Sequence, residues 1–214
     1  MVRNPRRPQD LADAVALYDD AVKAGNAEAM NRLGKLYETG KGVAQNYVTA
    51  SVLYERGADA GSAGAMYSGA LLFEKGLGVK QSISEAMNWY REAAEAGHPM
   101  ASRRMGKAYD EGTAVGINHG SAANWYCRAV MKEAAILAHP VIGRSEPELV
   151  PVRPVAEQLA MLDQCPDDKW DDDLAVARAI LSRQLTPAIK GEAERLSKNM
   201  KTTNNISQVL AANP

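Results

Sequence analysis

The chain repeats itself every 36 residues. Tyrosine recurs at this interval at four positions, which are Tyr18, Tyr54, Tyr90 and Tyr126. Glycine keeps the same interval in two series (25, 61, 97 and 40, 76, 112), and alanine in a fourth series (14, 50, 86, 122). A fixed period of this length is typical of a solenoid, in which copies of one supersecondary unit stack on each other. Solenoids usually bind partners along an extended surface, so the period bears on function as well as on fold.

Each period contains two segments whose apolar residues have helical spacing. Ala14, Leu17, Tyr18 and Ala21 fall at i, i+3, i+4 and i+7, so they share one face of a helix. A second segment, from 29 to 37, has the same kind of pattern. An Ala-Gly pair separates the two segments, and glycine there can end a helix in the left-handed conformation. The sequence therefore predicts two antiparallel amphipathic helices per period, with units starting near residues 9, 47 and 83 and a fourth near 121.

Small and aromatic residues indicate how the units pack. Alanine or glycine stands at positions expected to face a neighbouring helix, where it lets helix backbones approach closely; these are Ala29, Gly34, Ala65, Ala70, Ala101 and Gly106. We expect Tyr37, Phe73 and Tyr109 to fill the space between neighbouring units. Only one aromatic residue of the chain, Trp170, lies outside 18–126, so the predicted stacked core belongs to the repeats.

Three strings, LGKLYETGKGVAQNYVTA, ALLFEKGLGVKQSISEA and MGKAYDEGTAVGINHGSAA, resemble Sel1-like repeats, a family related to tetratricopeptide repeats. The resemblance covers about residues 9–130. It implies an all-α fold, a right-handed α/α superhelix with a helical C-terminal cap. Two positions depart from the pattern. Ala114 replaces the glycine of the preceding units, and Glu133 replaces the turn glycine, so the last repeat helix is expected to continue to about Ala138.

The chain after the repeats has a different composition. Four prolines between 140 and 154 predict a connector that is not helical. Helices are predicted at 155–162, at 174–185 and from Thr186-Pro187, a helix start signal; they are expected to cover the open face of the last repeat. We divide the chain into an N-terminal extension (1–8), three full repeats with a partial fourth (9–138), a connector (139–154), a helical cap (155–200) and a flexible tail (201–214).

Charge and cysteine content limit the partners and the compartment. With 25 basic and 26 acidic residues, the chain is expected to bind neither nucleic acid nor anionic membranes. No apolar run approaches the roughly 20 residues of a membrane helix, so no membrane insertion is expected. No signal peptide is visible, which favours the cytoplasm; the alternative is a periplasmic or secreted protein whose signal is missing from this sequence. Cys127 and Cys165 form no disulfide framework, so a reduced compartment is the default, while a single bond between them stays open.

The sequence predicts no catalytic, cofactor-binding or metal-binding residue. The glycines of segment 76–82 follow a helix, whereas a phosphate-binding loop follows a strand, so we interpret this segment as a turn. The three histidines and Cys127 do not form the set of about four ligands that a zinc site needs, and His98 has a structural role just after a turn glycine. The acidic clusters at 167–173 lack the spacing of a calcium loop. We interpret them as favourable charges ahead of a helix.

The polar stripe on the outside of each predicted first helix remains as a candidate site. In related solenoids the first helices line a concave surface that takes the ligand. The candidates for binding a peptide or protein partner there are Arg56, Asn88, Glu92, Asn124 and Arg128, because asparagine can bond an extended backbone and arginine a carboxylate. A basic alternative on the opposite face comprises Arg32, Lys35, Arg103, Arg104 and Lys107. A solvated face without a partner is the third possibility.

These features favour a non-enzymatic protein-protein interaction module. The resemblance to Sel1-like repeats implies a bacterial adaptor or regulator that binds its partner in the concave groove. The same resemblance leaves an immunity or effector-blocking protein as an alternative. A small enzyme built from the C-terminal segment is an alternative of another class, which the small number of candidate nucleophiles disfavours. The identity of the partner does not follow from the sequence.

Overall fold

A computed structural model describes residues 8–138, 154–163, 165, 171–182 and 186–203. Over these ranges the protein is all-α and contains no strand. Its helices are α1 (Pro8–Lys23), α2 (Ala27–Thr39), α3 (Tyr47–Asp59), α4 (Ala63–Lys75), α5 (Ile83–Glu95), α6 (Pro99–Glu111), α7 (His119–Ala138), α8 (Val155–Leu162), α9 (Asp171–Ser182) and α10 (Pro187–Thr203). The N-terminal extension up to residue 7, the connector up to residue 153 and the tail beyond residue 203 lie outside the described residues.

Most helix boundaries agree with the prediction from the period. α3 begins at Tyr47 and α5 at Ile83, and α8 has the predicted limits. α7 passes through Glu133 and ends at Ala138, as expected where the turn glycine is missing. α9 begins three residues before the predicted start, at Asp171. The segment 171–173, which was expected to precede the helix, is therefore part of it.

The turns between helices use the predicted glycines, and each is followed by a residue that caps the next helix. Gly25, Gly61 and Gly97 have φ values of 82°, 87° and 92°, as expected for left-handed helix ends. The next residue in each turn caps the following helix, since a side-chain atom of Asn26, Ser62 or His98 accepts a hydrogen bond from the backbone N–H three residues later. Ala114 also adopts a positive φ, 58°, at the position where the earlier repeats have glycine. This conformation costs an L-residue roughly 1–2 kcal/mol.

The chain divides into two compact units, residues 1–101 and 102–214. In the first unit α1 packs against α2, α2 against α3, α3 against α4 and α4 against α5, and α2 also contacts α4. One core cluster joins α1, α2 and α3 through Val22, Met30, Leu33 and Leu53. A second cluster joins α3 and α4 around Tyr54. Tyr37 packs against both clusters, in agreement with its predicted place between units.

Glycines on the second helix of each pair receive aromatic rings from the next helix. A Cβ atom added to Gly34 would lie 2.6 Å from Cε1 of Tyr54, and one added to Gly106 would lie 2.7 Å from Cδ1 of Tyr126. The middle interface differs, because a Cβ on Gly69 would meet Cζ3 of Trp89 at 2.6 Å. The rings thus occupy the volume that a side chain would fill. The predicted small residues at these positions make room for a ring as well as for a backbone.

A tyrosine–carboxylate hydrogen bond recurs with the period. In each case the hydroxyl of a buried tyrosine donates to a carboxylate on the preceding helix; the pairs are Tyr54–Glu38 (2.6 Å), Tyr90–Glu74 and Tyr126–Asp110 (3.3 Å). A buried phenol needs such a partner, and an ionised acceptor strengthens the bond. These three acidic residues also keep the 36-residue interval, and their role was not predicted from the sequence.

The second unit packs α8, α9 and α10 with α7. α8 contacts α7, α9 and α10, and α7 contacts α9. The core cluster combines Tyr126 and Val130 of α7 with Met161 and Leu162 of α8 and Leu181 of α9. These contacts cover an apolar side of α7.

Two further features of the second unit concern polar and sulfur groups. Glu133 is fully buried and lies 3.8 Å from the guanidinium of Arg103 on α6. Cys127 and Cys165 form a disulfide with their Cα atoms 5.8 Å apart, so the pairing that the sequence left open is present.

Across the described helices, no segment combines the length and apolarity needed to cross a bilayer.

Candidate partner-binding face

The five predicted binding residues are divided between the two units. Arg56 lies on α3, and Asn88 and Glu92 lie on α5; all three side chains are exposed and belong to the unit 1–101. Asn124 and Arg128 lie on α7 in the unit 102–214 and are half-buried.

In the first unit, Arg56 and the residues of α5 belong to a regular exposed surface. Positions i, i+4 and i+8 share one side of a helix, and equivalent positions recur on α1, α3 and α5. We call this surface the odd-helix face; it comprises Ala12, Ala16 and Asp20, then Val48, Val52 and Arg56, then Ser84, Asn88 and Glu92. All nine residues are exposed. The face therefore has an apolar or small-residue portion and, at its third positions, charges of alternating sign.

Two valines give the odd-helix face its apolar character. Val48 is 59 % exposed and Val52 is 49 % exposed. Val48 lies two turns and Val52 one turn before Arg56, on the same side of α3. Neither valine was among the predicted binding residues. Leu17 was expected on the buried side of α1, and this expectation is wrong, since Leu17 is 72 % exposed. Its equivalent, Leu53, is buried because α2 covers it, whereas α1 is the first described helix.

The polar residues of the odd-helix face differ in their intramolecular contacts, and Asp20 has a partner in Lys23 of the same helix. Lys23 pairs with Asp19 at 2.7 Å and with Asp20 at 3.1 Å, and hydrogen bonds to these two carboxylates raise the pKa of Lys23. The amide oxygen of Asn88 accepts a hydrogen bond from Arg91 at 3.3 Å. The side chain of Arg56 makes no ion pair with any residue in the described part of the chain. Its guanidinium is therefore available to an external acceptor.

In the second unit, Arg128 has an aromatic neighbour. Its guanidinium carbon lies 5.4 Å from the ring centroid of Trp125, within the range of a cation–π interaction. This contact restricts the orientation of the side chain. Asn124 precedes Trp125 on α7 and is half-buried.

The basic residues proposed for the opposite face are mostly neutralised. Arg32 pairs with Glu28 at 2.8 Å and Lys35 with Glu38 at 3.2 Å. Lys107 pairs with Glu111 at 3.7 Å, and Arg103 lies beside the buried Glu133. On α2 and α4, Asn31 is buried and accepts a hydrogen bond from Ser68 at 3.4 Å. Four of these five basic residues thus have a carboxylate partner within the protein.

The histidines that the structure describes have contacts within the protein. The His98 ring stacks on Tyr67 with 4.3 Å between centroids, and its Nδ1 accepts the Ala101 N–H. Burial lowers the pKa of His98 from 6.5 to about 4. The residue thus has the structural role that the sequence predicted, and its action as a neutral cap is a finding of the structure. His119 Nδ1 lies 3.0 Å from Asp110. Within the described ranges, no three histidine, cysteine, aspartate or glutamate side chains are grouped to hold a metal ion.

The family comparison matches half of the chain. The model of the Sel1 repeat matches residues 27–62, 63–98 and 99–133. Each match begins at the start of α2, α4 or α6, so α3, α5 and α7 are the second helices of their pairs in this register. The rule that first helices line the ligand surface would then point to α2, α4 and α6. A search of curated proteins finds no match.

Two solved structures have the same fold. One is a Sel1 repeat protein from Oxalobacter formigenes, with 24 % identity and a TM-score of 0.59 over 87 % of this chain and 50 % of that chain. The other is a protective antigen present in uropathogenic Escherichia coli strains that displays an SLR fold, with 19 % identity and a TM-score of 0.52 over 88 % of this chain and 56 % of that chain. The chain thus spans about half the length of these proteins, and at such identities the likeness shows the fold alone.

Proposed function

The chain belongs to the Sel1 repeat family, and from this premise we propose that it is a non-enzymatic module that holds a peptide segment of a partner protein on the odd-helix face. Proteins of this family generally mediate protein-protein interactions. A stack of helix pairs suits this task because it presents equivalent positions from successive helices at a fixed spacing. We further propose that the module acts as a bacterial adaptor or regulator, in line with the bacterial sources of both structural relatives.

The exposed valine pair on α3 supports the proposal most directly. Val48 and Val52 are 59 % and 49 % exposed and adjacent on one side of the helix. Neighbouring apolar side chains in water are a common mark of an interaction surface, and a partner that covers them gains roughly 25 cal/mol for each Å² of apolar area removed from water. Arg56, one turn further along α3, can bond a carboxylate of the same segment with its planar fork of donors.

The neighbouring helices supply polar contacts for the segment. Asn88 carries both a donor and an acceptor for an extended backbone, and Glu92 offers a charge opposite to that of Arg56. We propose Asn124 and Arg128, at the equivalent positions on α7, as a further contact point within the second unit. The family register favours a second candidate surface, the outward side of α2 and α4, which carries Arg32 and Lys35.

A photo-crosslinking experiment tests the proposal. The full chain is expressed in its native host with benzoylphenylalanine in place of Val52 or, as the matched control, in place of Arg32. We expect a crosslinked partner from position 52 and none from position 32. The partner is then titrated with the wild type, Val52→Asp, Arg56→Glu and Arg32→Glu.

The titration decides between the two surfaces. Val52→Asp and Arg56→Glu should each weaken binding about tenfold or more, which is about 1.4 kcal/mol, and Arg32→Glu should leave it unchanged. All three are surface changes that typically alter stability by no more than about 0.5 kcal/mol, and circular dichroism checks the fold. A loss of affinity only in Arg32→Glu would place the partner on α2 and α4. Unchanged affinity in all three variants would refute both surfaces.

A further inference from the structure

The second unit contains a disulfide that uses both cysteines of the chain. Cys127 lies on α7, and Cys165 lies just after the end of α8, 38 positions further along the sequence. Their Cα atoms are 5.8 Å apart, close to the usual value of about 5.5–6 Å for native disulfides. Because the chain has only two cysteines, no other intramolecular pairing competes with this one.

Local structure on both sides brings the two sulfur atoms together. The turn after α8 is closed by a hydrogen bond from the Cys165 backbone N–H to the Leu162 carbonyl at 3.3 Å. Arg178 of α9 donates to the same carbonyl at 3.0 Å. Cys127 belongs to the same core cluster as Leu162 and Cys165. The turn after α8, which we call the α8 corner, is therefore positioned by contacts that do not depend on the sulfur–sulfur bond.

Both cysteines are buried, at 3 % and 5 % exposure. A thiol reductant has to reach a sulfur atom in order to attack it, so the packed corner shields the bond once it has formed. The loop that the bond closes is long and includes the connector. Closing a long loop restricts the unfolded chain strongly.

We propose that Cys127 and Cys165 are a modification site at which this chain is the dithiol substrate of a disulfide-bearing oxidant, and that the resulting bond locks the α8 corner onto α7. The two thiols lose two protons and two electrons as the sulfur–sulfur bond forms, and the disulfide of the oxidant accepts them and becomes a dithiol. The protein therefore matures in an oxidising compartment, such as a periplasm or the exterior of the cell. This inference does not depend on the proposed partner face.

Thiol trapping in the native host tests the modification. Cells are quenched with acid, which stops thiol exchange, and the denatured protein is treated with a maleimide before and after reduction. We expect no maleimide on the unreduced chain and two after reduction, measured as intact mass. Two maleimides on the unreduced chain would overturn the proposal.

Limited proteolysis tests the lock. The full chain is reduced with dithiothreitol until intact mass after maleimide treatment shows two free thiols, and this reduced protein should be cleaved within 102–214 about tenfold or more faster than the oxidised protein, while cleavage within 8–101 stays unchanged. A variant with both Cys127→Ala and Cys165→Ala should be cleaved at the faster rate with or without dithiothreitol. Equal cleavage rates for the oxidised and reduced wild type would refute the lock without relying on the variant.

Discussion

Lowering the pH from 7 to 5 should destabilise the first unit through one side chain, His98. This residue stacks on Tyr67 and caps α6 with a ring nitrogen that accepts the Ala101 N–H. Protonation of Nδ1 would remove the acceptor and place a charge in a buried site. Burial accordingly lowers the pKa of His98 to about 4, whereas in the unfolded chain it is about 6.5.

The sign and size of the effect follow from these two pKa values. Between pH 6.5 and 4 the unfolded chain binds a proton that the folded chain does not, so the free energy of unfolding falls as the pH falls. From the two pKa values, His98 contributes a loss of about 2 kcal/mol between pH 7 and pH 5, and about 3 kcal/mol in total by pH 4. Below the folded pKa both states are protonated and the loss stops.

The matched variant is His98→Asn, because asparagine performs the same capping role at Asn26 and does not titrate in this range. Urea unfolding of both proteins, followed by circular dichroism at pH 7, 6, 5 and 4.5, gives the free energy of unfolding at each pH. The variant should lose about 2 kcal/mol less than the wild type between pH 7 and 5. Parallel pH profiles of the free energy of unfolding for the two proteins would show that burial does not lower the pKa of His98 in the folded state.

Further predictions concern packing, backbone strain and metals. Tyr54→Phe removes the donor to Glu38 and should lower the free energy of unfolding by about 1.5–3 kcal/mol, and Tyr54→Ala by about 3–5 kcal/mol; equal urea midpoints for the wild type and the Phe variant would contradict a net role for the bond. Ala114→Gly should raise stability by about 1 kcal/mol because it relieves the left-handed backbone, and a lower urea midpoint would refute this. Gly69→Ala should cost about 1–3 kcal/mol through the clash with Trp89, unless Trp89→Leu is combined with it. A metal chelator should leave the melting temperature unchanged, and a large decrease would reveal a metal site.

The helices and their order could be predicted from the sequence because the signals for them are local. The starts of α3 and α5 at Tyr47 and Ile83, and the extension of α7 through Glu133, depend on periodicity and on single turn residues. The caps at Asn26 and Ser62 depend on hydrogen bonds three residues away. Such features need no knowledge of tertiary contacts.

Features that depend on what covers a helix could not be predicted in this way. Leu17 and Leu53 have equivalent positions, but Leu53 belongs to a buried cluster with residues of α1 and α2, whereas Leu17 is exposed. The acceptor role of Glu38 requires the Tyr54 hydroxyl to reach it from the next helix, and a helical pattern classifies the glutamate only as polar. The bond between Cys127 and Cys165 likewise depends on how α8 packs on α7. The candidate face was predicted only in part, since Arg56 was selected and the adjacent valines were not.

Gly69, which receives the ring of Trp89, lies one residue before the position equivalent to Gly34 and Gly106. The repeats are therefore not interchangeable, and their order matters for packing. Removing residues 35–70 would keep the 36-residue period, and it would place Gly34 opposite Tyr90. The same deletion would place Leu33 opposite Trp89, where the native chain has Gly69. Large side chains forced into a filled interface cost about 1–3 kcal/mol or more. Copies of this module therefore cannot be shortened or shuffled as identical building blocks, and a redesigned array would have to exchange each glycine together with its ring.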